Sequence, residues 1–219
     1  MIIYTEEINS GIGQFTLDIT STNHLINRES RKSATVINSV GYQVIIKRIK
    51  APVDWLPSGM HVDRAEAWLF YITKVNTIPE QLRLAFRLSS ARQHVQAGPD
   101  TGQGLLAIEF EDGEWQVHVG APDDEALAWR NESIWMPERL AETLMQEKII
   151  VTTIQEDGLV TQLPELFENE GFYLHYIMAE SPRHKSLAYP EEWDVATWYA
   201  VDKSKKTLEE AWREQMGEI

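Results

Sequence analysis

The 219-residue sequence has no cysteine. That absence excludes a disulfide scaffold, a cysteine nucleophile, a thiolate zinc site and an iron–sulfur cluster. It fits a reducing compartment. Long apolar runs are missing too: stretches such as Trp68 to Ile72 fall far short of the ~20 residues that span a bilayer. The first residues lack a basic start followed by an apolar run and a small-residue cleavage site. The expectation is a soluble, cytoplasmic protein without membrane attachment.

Recognisable catalytic signatures are also lacking. There is no GxGxxG, Walker loop, GxSxG, HExxH or EF-hand loop. The glycines at 98–104 neither follow an expected strand nor open an expected helix, so they form no phosphate cradle. On this reading no catalytic residue, cofactor or metal is assigned.

Positive charge is scarce in one half. The chain carries a formal net charge of −14. Residues 1–99 hold 11 Lys/Arg against 8 Asp/Glu, a net of +3, whereas residues 100–219 hold 9 against 26, a net of −17. Nucleic-acid affinity rests on Lys/Arg neutralising phosphates, so direct nucleic-acid binding by the second half is not expected. A basic protein would instead be attracted to it. Composition is globular, with 43% hydrophobic residues, and a chain of this length buries a core without staples. Residues 1–219 are read as one compact domain. The alternative is a mildly basic, β-rich unit 1–98 ending in a helix, followed by an acidic α+β unit 99–219, because the Gly/Pro-rich stretch 96–104 coincides with the charge break.

Periodicity assigns the elements. Phe15, Leu17 and Ile19 alternate as in a half-buried strand, and residues 42–50 are β-branched and strand-like. Residues 65–75 are apolar on both alternations, the mark of a central strand. Residues 23–39 fit a loop, an arm or a strand pair equally well. Thr77 and Glu80 have capping-box spacing, and Leu84, Leu88, Ala91 and Val95 recur at helical intervals, so a helix is expected before Gly98-Pro99. Arg83, Arg87 and His94 then lie on its other side. Further helices are expected over 123–130, over 137–148 and after Ser204; residues 163–169 also fit a helix. Strands are expected over 149–154, 172–179 and 195–201. The fold class that follows is α+β: a largely antiparallel sheet with four to five packed helices.

The most legible element is a hairpin over 106–119. Asp112-Gly113 is a favoured type I′ turn pair, which sets Glu111 opposite Glu114, Phe110 opposite Trp115 and Glu109 opposite Gln116. One face is Leu106, Ile108, Phe110, Trp115, Val117 and Val119. The other carries Glu109, Glu111, Glu114, Gln116 and His118. Like charges directly opposite each other destabilise a ladder, so this face either sits at a solvated turn or awaits a cation.

Three weaker patterns stand beside it. His61 and Asp63, two apart on a strand, share a face and suit an acid/base pair or two metal ligands. Pro99-Asp100 with Glu109 and Glu111 superficially resembles the acidic core of PD-(D/E)xK nucleases, but Glu111 occupies the lysine position inside a −17 half, which argues against a nuclease. Six of the eight tryptophans lie in the acidic half, and Trp129 and Trp193 adjoin acidic runs. Aromatic anchors in charged surroundings are typical of protein-binding surfaces.

The functional expectation is a non-enzymatic acidic binding protein. Its concrete form is an inhibitor or immunity-type protein that neutralises a basic partner such as a toxin. The residues assigned to partner binding are Glu109, Glu111, Glu114, Asp123, Asp124, Glu125, Trp129, Glu191, Glu192 and Trp193. The alternative is a small hydrolase or ligand-binding protein using His61, Asp63, His118 and His175. Oligomeric state is not read from the sequence.

Overall fold

The computed structural model describes residues 1–31, 34–53, 56, 60–129, 135–146, 149–183, 196–202 and 208. In chain order the strands are β1 (Ile2–Ser10), β2 (Gly13–Ser21), β3 (Leu25–Arg31), β4 (Ala34–Ser39), β5 (Tyr42–Lys50), β6 (Arg64–Lys74), β7 (Leu82–Ala91), β8 (Gln96–Pro99), β9 (Leu105–Glu111) and β10 (Trp115–Pro122). Two helices follow, α1 (Asp124–Ala128) and α2 (Glu138–Met145), then β11 (Thr152–Gln155), β12 (Gly158–Gln162) and β13 (Gly171–Pro182). Residues 196–202 are helical.

The strands form two antiparallel sheets. One has five strands in the order β1-β2-β7-β12-β11, and the other has eight in the order β3-β4-β5-β6-β13-β10-β9-β8. Each draws strands from both sides of the charge break. The inner faces meet in an aromatic core. Phe15 on β2 packs edge-on against Phe110 on β9, with centroids 5.3 Å apart, and Trp68 on β6 meets Phe86 on β7 at 5.1 Å. These rings are fully buried. Burial of each such side chain contributes roughly 1.5–3 kcal/mol.

The eight-stranded sheet also buries much of its outer face. Ala65, Ala67, Leu69 and Tyr71 of β6 and Tyr173, Ile177 and Ala179 of β13 pack beneath Ala196, Ala200, Val201 and Leu208. This explains why β6 is apolar on both alternations: it lies inside the sheet, between β5 and β13, with covered surfaces on both sides. Among the described residues, no helix is long and apolar enough to cross a membrane.

The expected α+β class with four to five helices is wrong: the protein is mostly β. The decisive difference is the strong helix expected across 77–95. That stretch forms β7, the middle strand of the five-stranded sheet, paired with β2 on one side and β12 on the other. Leu82, Leu84 and Phe86 alternate into the core while Arg83 and Arg87 point away. Leucines at 84 and 88 satisfy both a period of two and a spacing of four, and two waiting strands select the extended form. Glu80 caps nothing helical. Its carboxylate accepts hydrogen bonds from the Ser21 hydroxyl and the Gly41 amide. His94 adopts a positive φ of 67° in the turn before β8.

Other assignments also change. Residues 23–39 contain the paired strands β3 and β4. The strand expected over 195–201 is replaced by the helical residues 196–202, and 163–169 is irregular. The helix expected after Ser204 falls largely outside the described residues. The short helix after Asp123 and the helix after Pro137 are present as α1 and α2.

Candidate functional site

The hairpin β9–β10 forms, but its register differs from the expected one. Glu111 stands opposite Gln116 and Phe110 opposite Val117. The turn residues are therefore Gly113-Glu114, not Asp112-Gly113. Gly113 supplies the positive φ of 84°, as the first central position of a type II′ turn requires. The Asp112 carboxylate accepts from the amides of Glu114 and Trp115 at 2.9 and 2.8 Å, which tightens the loop. A shift of two residues keeps every side chain on its expected face. It also removes the expected carboxylate clash, since Glu114 moves into the turn and Glu111 pairs with Arg183.

The polar face of this hairpin carries a connected hydrogen-bond chain. Gln116 Nε2 donates to Glu109 Oε1 at 2.5 Å, and Gln116 Oε1 accepts from the Thr197 hydroxyl at 3.1 Å. Thr197 Oγ1 lies 2.9 Å from His118 Nδ1, and His118 Nε2 lies 2.9 Å from Asp100 Oδ2. Because the Thr197 proton is directed to Gln116, Nδ1 is the donor toward Thr197. His118 is 1% exposed, whereas the Asp100 side chain is 46% exposed and opens the chain to water.

Backbone pairing delivers each member. Glu109 and His118 are direct cross-strand partners in β9–β10. Asp100 follows β8, which pairs with β9, and its amide donates to the Ala107 carbonyl at 2.9 Å. Trp198 Nε1 donates to the Asp100 carbonyl at 3.0 Å. The His118 hydrogen bond holds the Asp100 carboxyl below the usual carboxylate range, against the opposing effect of burial. One ligand atom from each of Asp100, Glu109 and His118 lies within 4.8 Å of the others. The sequence pairs Asp100 with Glu109 in one pattern and Glu109 with His118 in another, but no single pattern unites the three.

The other assigned residues lie apart from this chain. Asp123 caps α1, accepting from the Ala126 amide at 2.8 Å. Asp124 accepts from the Val151 amide at 3.1 Å, and burial raises its pKa, with the nearby Asp123 charge acting in the same direction. Glu125 is exposed on α1, and Trp129 at its C-cap is 57% exposed. Met145, the last residue of α2, and Ile150 beyond it are also exposed. Glu191, Glu192 and Trp193 lie outside the described residues.

The hydrolase set is not assembled as one site. His61 Nε2 and Asp63 Oδ1 do pair at 2.7 Å, but on an exposed surface, with the His61 side chain 63% exposed. His175 is buried, with Nδ1 3.1 Å from the Tyr173 hydroxyl.

One cleft was not legible in the sequence. The connection from β6 to β7 and the one from β12 to β13 both cross between the sheets, and between them lies a cleft of about 650 Å³. Tyr42, Lys74, Glu80, Leu166 and Phe167 help line it. Lys74 is buried, donates to the Ile78 carbonyl and places its ammonium 4.4 Å from the Tyr42 ring centre. Burial, followed by the Glu80 charge, pushes the Tyr42 hydroxyl up to about 12. A helix expected across 77–95 hid this arrangement, because it removed the crossover that forms one wall.

No protein-family model matches the chain, and no curated protein matches it. A solved structure described as kojibiose phosphorylase from the human microbiome aligns over 91% of this chain with a TM-score of 0.46 and 9% identity. The aligned chain corresponds to 28% of that protein. A likeness of this size carries no inference about fold or function.

Proposed function

We propose that the chain is a non-enzymatic binding protein whose acidic half docks a basic protein partner, and that it acts as an inhibitor of that partner. The observation that carries this reading is Trp129, 57% exposed at the end of α1 beside the exposed Glu125. Met145 and Ile150, 63% and 69% exposed, belong to the same acidic segment. Single exposed apolar residues are ordinary, but a tryptophan held in water next to carboxylates has the character of an interface anchor with a charged rim.

Exposure favours some of the assigned acids over others for this role. Glu109, Glu111, Asp123 and Asp124 have hydrogen-bonding or ion-pair partners within the chain. Among the described residues of the assigned set, Glu114 and Glu125 are the exposed acids. A toxin neutralised by such a surface is cationic, and its attraction weakens with salt because exposed charges are screened over about 8 Å at physiological ionic strength.

The test compares wild type with a Glu125→Lys/Trp129→Ala variant as bait in the native host's extract, at low and high salt. A basic protein retained at low salt by wild type and lost by the variant supports the reading. Equal capture by both, or no basic protein on either, overturns it.

A further inference from the structure

We infer that Asp100, Glu109 and His118 form a binding site for one divalent transition-metal ion, of the zinc type, on the outer face of the eight-stranded sheet. Two observations converge on it. First, one imidazole nitrogen and two carboxylates from three chain positions bring their ligand atoms within 4.8 Å. Second, the imidazole is oriented as a metal ligand requires. Its Nδ1–H is directed to Thr197, whose hydroxyl is itself committed to Gln116, so Nε2 is the nitrogen that faces the Asp100 carboxylate. Metal-binding histidines characteristically donate their other ring N–H to such an oxygen, which fixes the ring and the tautomer.

The dimensions suit an ion. Two ligands at about 2.1 Å from a tetrahedral zinc are about 3.4 Å apart. His118 Nε2 and Asp100 Oδ2 are 2.9 Å apart, so an ion enters with a shift of about half an ångström, which the half-exposed Asp100 side chain can make. The nitrogen ligand separates the site from those of magnesium and calcium, which take oxygen. Asp100 is the solvent-facing member, its side chain 46% exposed, so water reaches the remaining coordination positions.

The site does not depend on the proposed partner surface around Trp129, and it needs no partner to be measured. Zn²⁺ is titrated calorimetrically into chelator-treated full-length protein, and Co²⁺ absorption reports the ligand type. The expected result is one saturable Zn²⁺ per chain, not displaced by a hundredfold excess of Mg²⁺. Asp100→Asn and Glu109→Gln, near-isosteric changes that keep hydrogen-bonding groups, are expected to weaken binding at least 10-fold. Thr197→Val removes the acceptor for Nδ1–H and is expected to weaken it by about 10–100-fold. Circular dichroism confirms that each variant is folded. His61→Gln, on the separate surface pair, is expected to leave binding unchanged. Absence of saturable binding overturns the inference. So does binding that survives in folded Asp100→Asn and Glu109→Gln, or binding that is lost in His61→Gln.

Discussion

Gly120 on β10 lies directly against Val201 in the C-terminal helical segment: a β-carbon at Gly120 would fall 2.2 Å from Val201 Cγ1. The same position would meet Leu105 Cδ1 at 3.0 Å. This close approach seats residues 196–202 on the sheet and places Thr197 beside His118. Gly120→Ala is therefore expected to destabilise the protein by about 1–3 kcal/mol through overpacking. Urea unfolding measures the loss. Limited proteolysis of the C-terminal segment, faster in the variant, shows where the strain is released.

The two sheets are joined through aromatic contacts, so core truncation has a clear ranking. Phe110 is fully buried and meets Phe15 across the layers. Phe110→Ala is expected to cost about 3–5 kcal/mol. Phe167 is 57% exposed, with the Arg139 guanidinium 3.8 Å from its ring centre. Phe167→Ala is expected to cost less than about 1 kcal/mol. Equal costs in chemical denaturation would contradict the sandwich packing.

Glu170 links the β12–β13 crossover to α2. Burial raises its pKa, but hydrogen bonds from Arg139 and the Phe167 amide, with the Arg139 charge, outweigh that effect and hold it below the ordinary carboxylate range. A depressed folded-state pKa means that its stabilisation is present above the ordinary pKa and is lost as pH falls through the lowered one. Glu170→Gln is expected to cost on the order of 1 kcal/mol at pH 7, a small figure because the Arg139 side chain is 35% exposed. The difference from wild type is expected to shrink toward zero in strong acid. Urea titrations at neutral and acid pH check both limits. Asp124 and Glu180, raised chiefly by burial, act with the opposite sign: their cost is present above the raised pKa and disappears as pH falls through it.

Trp129→Ala separates binding from folding. Its 57% exposure implies little burial to lose, so stability is expected to change by no more than about 0.5 kcal/mol. Thermal unfolding tests this directly. A large drop in Tm would mean that the ring supports the fold and is no anchor for a partner.

Much of the local pattern was readable before any tertiary contact was known. The two-faced strand β6, the alternating β2, the short acidic helix α1 and the apolar face of the β9–β10 hairpin all follow from side-chain periodicity and capping. β7 did not, because Leu84 and Leu88 fit a helix face as well as an alternating strand. The hairpin register did not, because Asp112-Gly113 and Gly113-Glu114 are both workable turns, and the two solutions bury the same side chains. The candidate metal site was present only as fragments. Asp100 reaches His118 because β8 joins the edge of the sheet, and Thr197 reaches it from 79 residues away.

The sequence by itself determined which side chains face inward along β2, β6 and the β9–β10 hairpin, where charge accumulates, and that thiol chemistry is absent. These are properties of neighbours in the chain. Only the tertiary structure decided whether residues 82–91 extend or coil, which carboxylates spend their charge inside the protein, and which three ligand atoms converge. Those outcomes depend on the partner available across a sheet, and hydrogen-bond pairing between distant strands supplies it. The −14 charge present at the outset thereby divides into acids that pin the fold, such as Asp123 and Glu170, and acids that remain turned to solvent, such as Glu114 and Glu125.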